Sequence, residues 1–125
     1  MFDEEKYAPL LGAFDGTKLV AMAQLYVSQE MMTEFKKDFS FEQFSICEIG
    51  GSFVLPEYRG RGIMTALQKM LLEIAYQRNF DYVIAMVHPE NIASIKTLEK
   101  VGLKFYKSKT MASGFDRNIY MLKLK

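Results

Sequence analysis

The chain has one cysteine, one histidine and no long uncharged apolar run, and each scarcity closes off a class of function. With Cys47 alone no internal disulfide can form, and the residue reads as buried filler in a protein suited to a reducing compartment. No apolar run approaches the roughly 18 to 20 residues of a membrane span. The acidic start, with Asp3, Glu4 and Glu5, is wrong for a signal peptide. A cytoplasmic location without a membrane partner is therefore expected. Charge of one sign is lacking too: 16 basic and 15 acidic side chains leave a formal net charge of +1 with no like-charge run, so no nucleic-acid partner is expected. Internal repeats and low-complexity tracts are absent, and no metal site is expected.

What is present is a core. Half of the 125 residues are hydrophobic, which predicts one globular domain over residues 1–125. Ala8–Phe14 and Lys18–Val27 are β-prone runs separated by Asp15-Gly16, a positive-φ pair suited to a tight hairpin turn. Met31–Phe41 reads as either a short helical turn or a long loop. From Phe41 to Phe53 apolar and polar residues alternate at first, as in a strand with one buried face, and Gly50-Gly51 marks a bulge or a close approach. Ile63, Leu67, Met70, Leu71 and Ile74 recur at helical spacing, with Gln68, Lys69, Glu73 and Gln77 on the other face. Asn79-Phe80-Asp81 ends that helix, and Tyr82–Val87 suits a buried strand. Strand, helix and strand then predict a right-handed parallel crossover, or at least neighbours in one sheet. Asn91 precedes a second helix, Ile92–Val101, with Ile95 and Leu98 on its apolar side and Gly102 at the C-terminal cap. Leu103–Thr110 and Asn118–Lys125 form a closing hairpin across Met111–Arg117, which contains Gly114.

The stretch Glu48–Thr65, EIGGSFVLPEYRGRGIMT, concentrates the chemistry. A helix N-terminus leaves backbone N–H groups unpaired and carries partial positive charge. Gly60 and Gly62 clear the backbone of Cβ atoms, Arg59 and Arg61 add charge, and Thr65 adds a hydroxyl, which together predict a pyrophosphate site. Neither GxxxxGK(S/T) nor GxGxxG occurs. The structural alternative is a glycine-rich connection whose arginines are solvated.

Val54–Ile63, VLPEYRGRGI, resembles the acyl-CoA-binding signature Q/R-x-x-G-x-G/A of the GNAT N-acetyltransferase superfamily, with Arg59 and Gly62 at its first and fourth positions. Asn91–Leu103, NIASIKTLEKVGL, resembles the second signature of that family. The resemblance runs from about Pro9 to the C-terminus. It implies an α/β fold: a mixed, mostly antiparallel sheet with a central splayed parallel strand pair and two main helices. It also implies acetyl-CoA as co-substrate and direct acetyl transfer to a primary amine. Carried over by residue, Ser52, Phe53 and Val54 offer main chain to the pantetheine arm, and the Val54 N–H polarises the thioester carbonyl. Arg59, Gly60, Arg61, Gly62, Ile63, Met64 and Thr65 hold the pyrophosphate. Asn91 matches the family asparagine at the pantetheine arm and equally suits a helix N-cap, and Ser94 either contributes or faces solvent. His88 is expected to be incidental rather than catalytic.

An amine of pKa about 10.4 must lose a proton before it can accept an acyl group. Glu48 is the candidate base, eleven positions before Arg59, where some histone-type family members carry theirs. Phe44 and Ile46 share its strand face by a period of two, which puts it on an apolar side where burial raises a carboxyl pKa. The alternative is a solvent-facing Glu48, with Glu42 acting through water.

Three departures from the family pattern stand out. Met64 replaces Gly or Ala at the sixth position of the first signature. Leu98 stands where many members carry a tyrosine acid, leaving either unassisted thiolate departure or help from Tyr106 or Tyr120, which both read as sheet residues. About seven residues precede the first hairpin, where the family has a strand and two helices. The acceptor side is then open, completed by a second copy in a homodimer, supplied by an upstream segment, or absent. In the last case the chain is a non-catalytic acyl-CoA-binding or interaction module.

Overall fold

A hairpin of β1 (Leu10–Asp15) and β2 (Lys18–Tyr26) leads the chain into β3 (Ile46–Val54), a 3-10 turn (Pro56–Tyr58) and α1 (Ile63–Gln77). β4 (Tyr82–Val87), α2 (Ile92–Lys100), β5 (Lys104–Thr110) and β6 (Asp116–Lys123) follow. The computed structural model describes residues 9–27, 44–110 and 114–125. Met31–Phe41 and Glu42 lie outside them.

The first turn is centred one residue later than Asp-Gly predicts. Asp15 pairs with Lys18, so Gly16 and Thr17 make the turn, and only Gly16 is left-handed, at φ +62°. A glycine at the first central position belongs to a type II′ turn, which matches the right-handed strand twist as well as the expected type does. Among the described residues β3 starts at Ile46, after Phe44 and Ser45. Its start is fixed beside β4 by Asp81, whose Oδ2 accepts from the Ser45 N–H at 2.9 Å and whose own N–H donates to the Ser45 carbonyl at 2.9 Å.

The sheet order is β1-β2-β3-β4-β6-β5, antiparallel throughout except for the parallel pair β3/β4. That pair is registered at Ile46↔Tyr82, Cys47↔Val83 and Glu48↔Ile84 only, although β3 continues to Val54 and β4 to Val87. Beyond Glu48 the two central strands part. A bulge in β3 accompanies this: Met22 faces Phe53 and Gln24 faces Gly50, which leaves one extra residue on β3, with Gly51 at φ +59°. A left-handed glycine in the first bulge position is a familiar way to bend and twist a strand.

Both helices cover one face. Leu67, Leu71 and Ala75 of α1 pack on Ala21, Ala23, Leu25, Cys47, Ile49 and Val83. Burying leucines such as Leu71, which has no exposed surface, stabilises by about 1.5–3 kcal/mol each. Leu98 of α2 packs with Ala85, Val87, Leu103 and Tyr120. The opposite face buries Ile46, Ile84 and Ile119, with Phe44, Tyr82 and Met86 against them. Cys47 is buried as expected, and desolvation pushes its thiol up to about 12.

The expected stripe on α1 needs rotating. Met70 is 54% exposed, whereas Gln68, assigned by spacing to the polar face, is 5% exposed. The helix contacts two partners rather than one: its Leu67–Leu71 edge meets β2 and β3, and Leu72 also reaches the α2 cluster. The face between these contacts is therefore wider than a single sheet-facing stripe.

Candidate active site

A groove of about 580 Å³ opens where β3 has left β4, between the end of β3, the start of α1 and one side of α2. Its rim is fixed from the first hairpin. The Tyr58 hydroxyl donates to Asp15 Oδ2 at 2.5 Å, and Lys18 pairs with Glu57 at 3.2 Å. Arg59 folds back so that its Nε donates to the Val54 carbonyl at 3.1 Å. Gly60 and Gly62 follow at φ +77° and +76°, a conformation costly for residues with a Cβ. Gly62 caps α1 without any side-chain hydrogen bond, and the first turn holds no acidic residue. The leading N–H groups of the helix are thus left for an anion.

Ser52, Phe53, Val54, Arg59, Gly60, Gly62, Ile63, Met64, Thr65, Asn91 and Ser94 all line this groove. Arg61 does not: its guanidinium donates to the Glu57 carbonyl at 3.2 Å and lies 4.9 Å from the centre of the Tyr58 ring. Its side chain braces the loop from outside. Met64 lines the groove and also packs partly against the core. Asn91 is the N-cap of α2, its Oδ1 accepting from the Ser94 N–H at 3.3 Å, and it lines the groove as well. His88 accepts from the Glu90 N–H at 3.1 Å within its own turn and is not part of the groove lining. Tyr120 is buried in the sheet, edge-on to Phe105, and Tyr106 lies on β5, both outside the lining.

Backbone direction along β3 follows from one bond. Leu55 N–H donates to the Val20 carbonyl at 2.9 Å on the β2 side, so by the alternation of the pleat the Val54 N–H points the other way, toward the gap.

Glu48 occupies the last paired position before the strands part. It is 5% exposed, and Tyr26 donates to its Oε2 at 2.7 Å, while Oε1 is buried with no partner among the described residues. Burial raises its pKa and the phenol hydrogen bond lowers it, with burial the larger effect. The same environment raises the pKa of Tyr26, so the phenol stays protonated as donor. Tyr26 sits where a Cβ at Gly50 would be only 2.6 Å from its hydroxyl. Gly50 is therefore the close-approach glycine, and Gly51 the bulge.

Val54 is six residues along β3 from Glu48, with the bulge at Gly51 between them.

Sequence reasoning missed Tyr58, Gln68, Ala93, Lys96, Thr97 and Lys100 in the lining. Four of these were legible: Ala93, Lys96, Thr97 and Lys100 recur at helical spacing and so share one side of α2. Neither Lys96 nor Lys100 pairs with a carboxylate among the described residues. An unclaimed anion seat, two unpaired cations, strand N–H groups facing the gap and a buried amide with an unpartnered oxygen fit an elongated ligand that is anionic at one end and amide-bearing along its length. An acyl-CoA is such a ligand.

Comparison with solved structures gives the same fold. The Salmonella typhimurium protein yncA, solved with its cofactor acetyl-CoA, matches at TM-score 0.72 and 17% identity over 94% of this chain and 65% of that one. The ribosomal-protein-S18-alanine N-acetyltransferase of Escherichia coli matches at 0.70 and 18% over 99% and 72%, and an N-acetyltransferase from Staphylococcus aureus Mu50 at 0.74 and 20% over 94% and 68%. The chain thus spans just under two thirds of the Salmonella protein. Comparison with curated proteins finds no significant match. The profile of the acetyltransferase (GNAT) family covers residues 1–103, through both helices and the splayed strand pair, and the chain belongs to that family.

Proposed function

We propose that this chain is an N-acetyltransferase that moves an acetyl group from acetyl-CoA directly to a primary amine. The observation that carries the reading is the parting of β3 and β4, with an uncapped helix start at one end of the gap and a buried carboxyl at its apex. The N–H groups at the start of α1, with Arg59, hold the pyrophosphate. Val54 and Asn91 hold the pantetheine arm. Bound acetyl-CoA supplies an acetyl thioester, an acyl donor whose thiolate leaves readily. Glu48, desolvated and so more basic than an ordinary carboxylate, is the base that takes the proton of the incoming ammonium, with Tyr26 donating to its Oε2.

Two measurements test this. Acetyl-CoA at a hundredfold excess over its Kd should stabilise the fold by about 2.7 kcal/mol, read as a rise in Tm. Free thiol should then appear when amines are added, and an amine panel without thiol release would overturn transfer. A second reading has its own observation: Leu98, at the place of the family acid, is 4% exposed and packed in the core, so it offers no proton. If acetyl-CoA raises Tm but no amine releases thiol, the chain is an acyl-CoA-binding module.

A further inference from the structure

Gln68 has no part in the family resemblance, in the anion seat or in the proton-transfer end, yet it is the one buried polar side chain among the described groove residues. It is 5% exposed, its Oε1 is closed off as the side chain stands, and that oxygen accepts no hydrogen bond among the described residues. A buried amide oxygen without a donor is unfavourable in the free protein, and such groups are rare unless something else satisfies them. Leucine or methionine would fill the space without that cost.

Position narrows what the partner is. Leu72, one turn further along α1, closes against the cluster of Ala85, Val87 and Leu98. Gln68 is thus the last α1 side chain before the space between the helices closes, and it forms the inner wall of the groove. It is six residues from Gly62, about 9 Å along the helix axis from the anion seat. Phosphates held at the helix start do not reach that far. The missing partner is a hydrogen-bond donor, N–H or O–H, because the unmet atom is an acceptor. The pantetheine arm carries two secondary amides along its length, each with one N–H.

We propose that Gln68 is a positioning residue whose amide, on ligand binding, turns its oxygen into the groove and accepts a hydrogen bond from an amide N–H of the pantetheine arm, so that the groove reads the arm as well as the phosphates. The inference rests on the acyl-CoA reading above. It gives α1 two roles along one ligand, the anion at its first turn and the amide at its second.

The test is isothermal titration of wild type and Gln68→Met with two probes, CoA and adenosine 3′,5′-bisphosphate, which carries phosphate and nucleoside without the arm. Methionine keeps the length and shape and removes the acceptor. Gln68→Met should weaken CoA about tenfold, or about 1.4 kcal/mol, and leave the bisphosphate affinity unchanged. The Tm of the ligand-free protein should rise by a few degrees, because the unmet oxygen is gone. A variant that binds CoA as tightly as wild type, or loses both probes equally, overturns the role. Wild type that binds neither probe overturns the acyl-CoA reading itself, and is distinguishable because no variant is needed to see it.

Discussion

Glu48 and Gln68 are buried to the same degree, on opposite sides of the sheet, and each has a buried Oε1 without a partner among the described residues. Their surroundings differ. Glu48 has a phenol on its other oxygen, seated by a glycine that leaves room for the ring, and its unmet oxygen can be satisfied by a proton. Gln68 cannot titrate, and no donor among the described residues satisfies it. On the reading proposed above, burial with one fixed partner prepares Glu48 for proton transfer, and burial with none prepares Gln68 for a ligand. Along β3 beyond Glu48 lie the bulge and the parting from β4.

The sharpest way to break the comparison is Glu48→Gln, which keeps shape and the Tyr26 bond but removes the base. Turnover should fall by about 10²–10⁴-fold, with CoA affinity nearly intact by titration. Equal loss of both would mean that Glu48 is merely structural. Next in size is Tyr26→Phe. The phenol hydrogen bond lowers the Glu48 pKa, so losing it should move the acidic limb of the pH–kcat/KM profile to higher pH and cost about tenfold near neutrality. An unshifted limb would separate the pair.

A stability measurement reads the same carboxyl. Its folded-state pKa is raised, so its contribution to stability is fully present below the ordinary carboxylate pKa and is lost as pH rises through the folded value. The Tm of Glu48→Gln relative to wild type should therefore climb from acid to neutral pH, and a constant difference would mean that the carboxyl is not desolvated. The smallest effect is expected at Lys96 and Lys100. Replacing both with Ala should weaken CoA only a few-fold, and the loss should fade in high salt, as expected for exposed cations.

Much of the fold was legible because it follows local periodicity. Tyr82–Val87 matches β4 end for end, and Ile63 and Ile92 start both helices as their spacing and caps predict. The groove lining near Arg59–Thr65 and Asn91 was legible too, since glycine, cation and cap residues announce themselves. Side-chain destinations were less so. Arg61 looks like its neighbour Arg59 in sequence but is drawn outward by Glu57 and Tyr58, which the hairpin holds in place. Gln68 reads as polar surface because helical spacing assumes one packing partner, and α1 has two.

The sequence by itself determined the elements, the glycines that permit the bulge and the helix start, and the strand face that Glu48 shares with Ile46, because these depend on residues a few positions apart. Tertiary structure alone decided that β6 inserts between β4 and β5, that β3 and β4 separate after Glu48, and that Tyr26 and Gly50 meet at that carboxyl. These are pairings between distant segments, and their energies depend on which surfaces remain to be buried once the local elements exist.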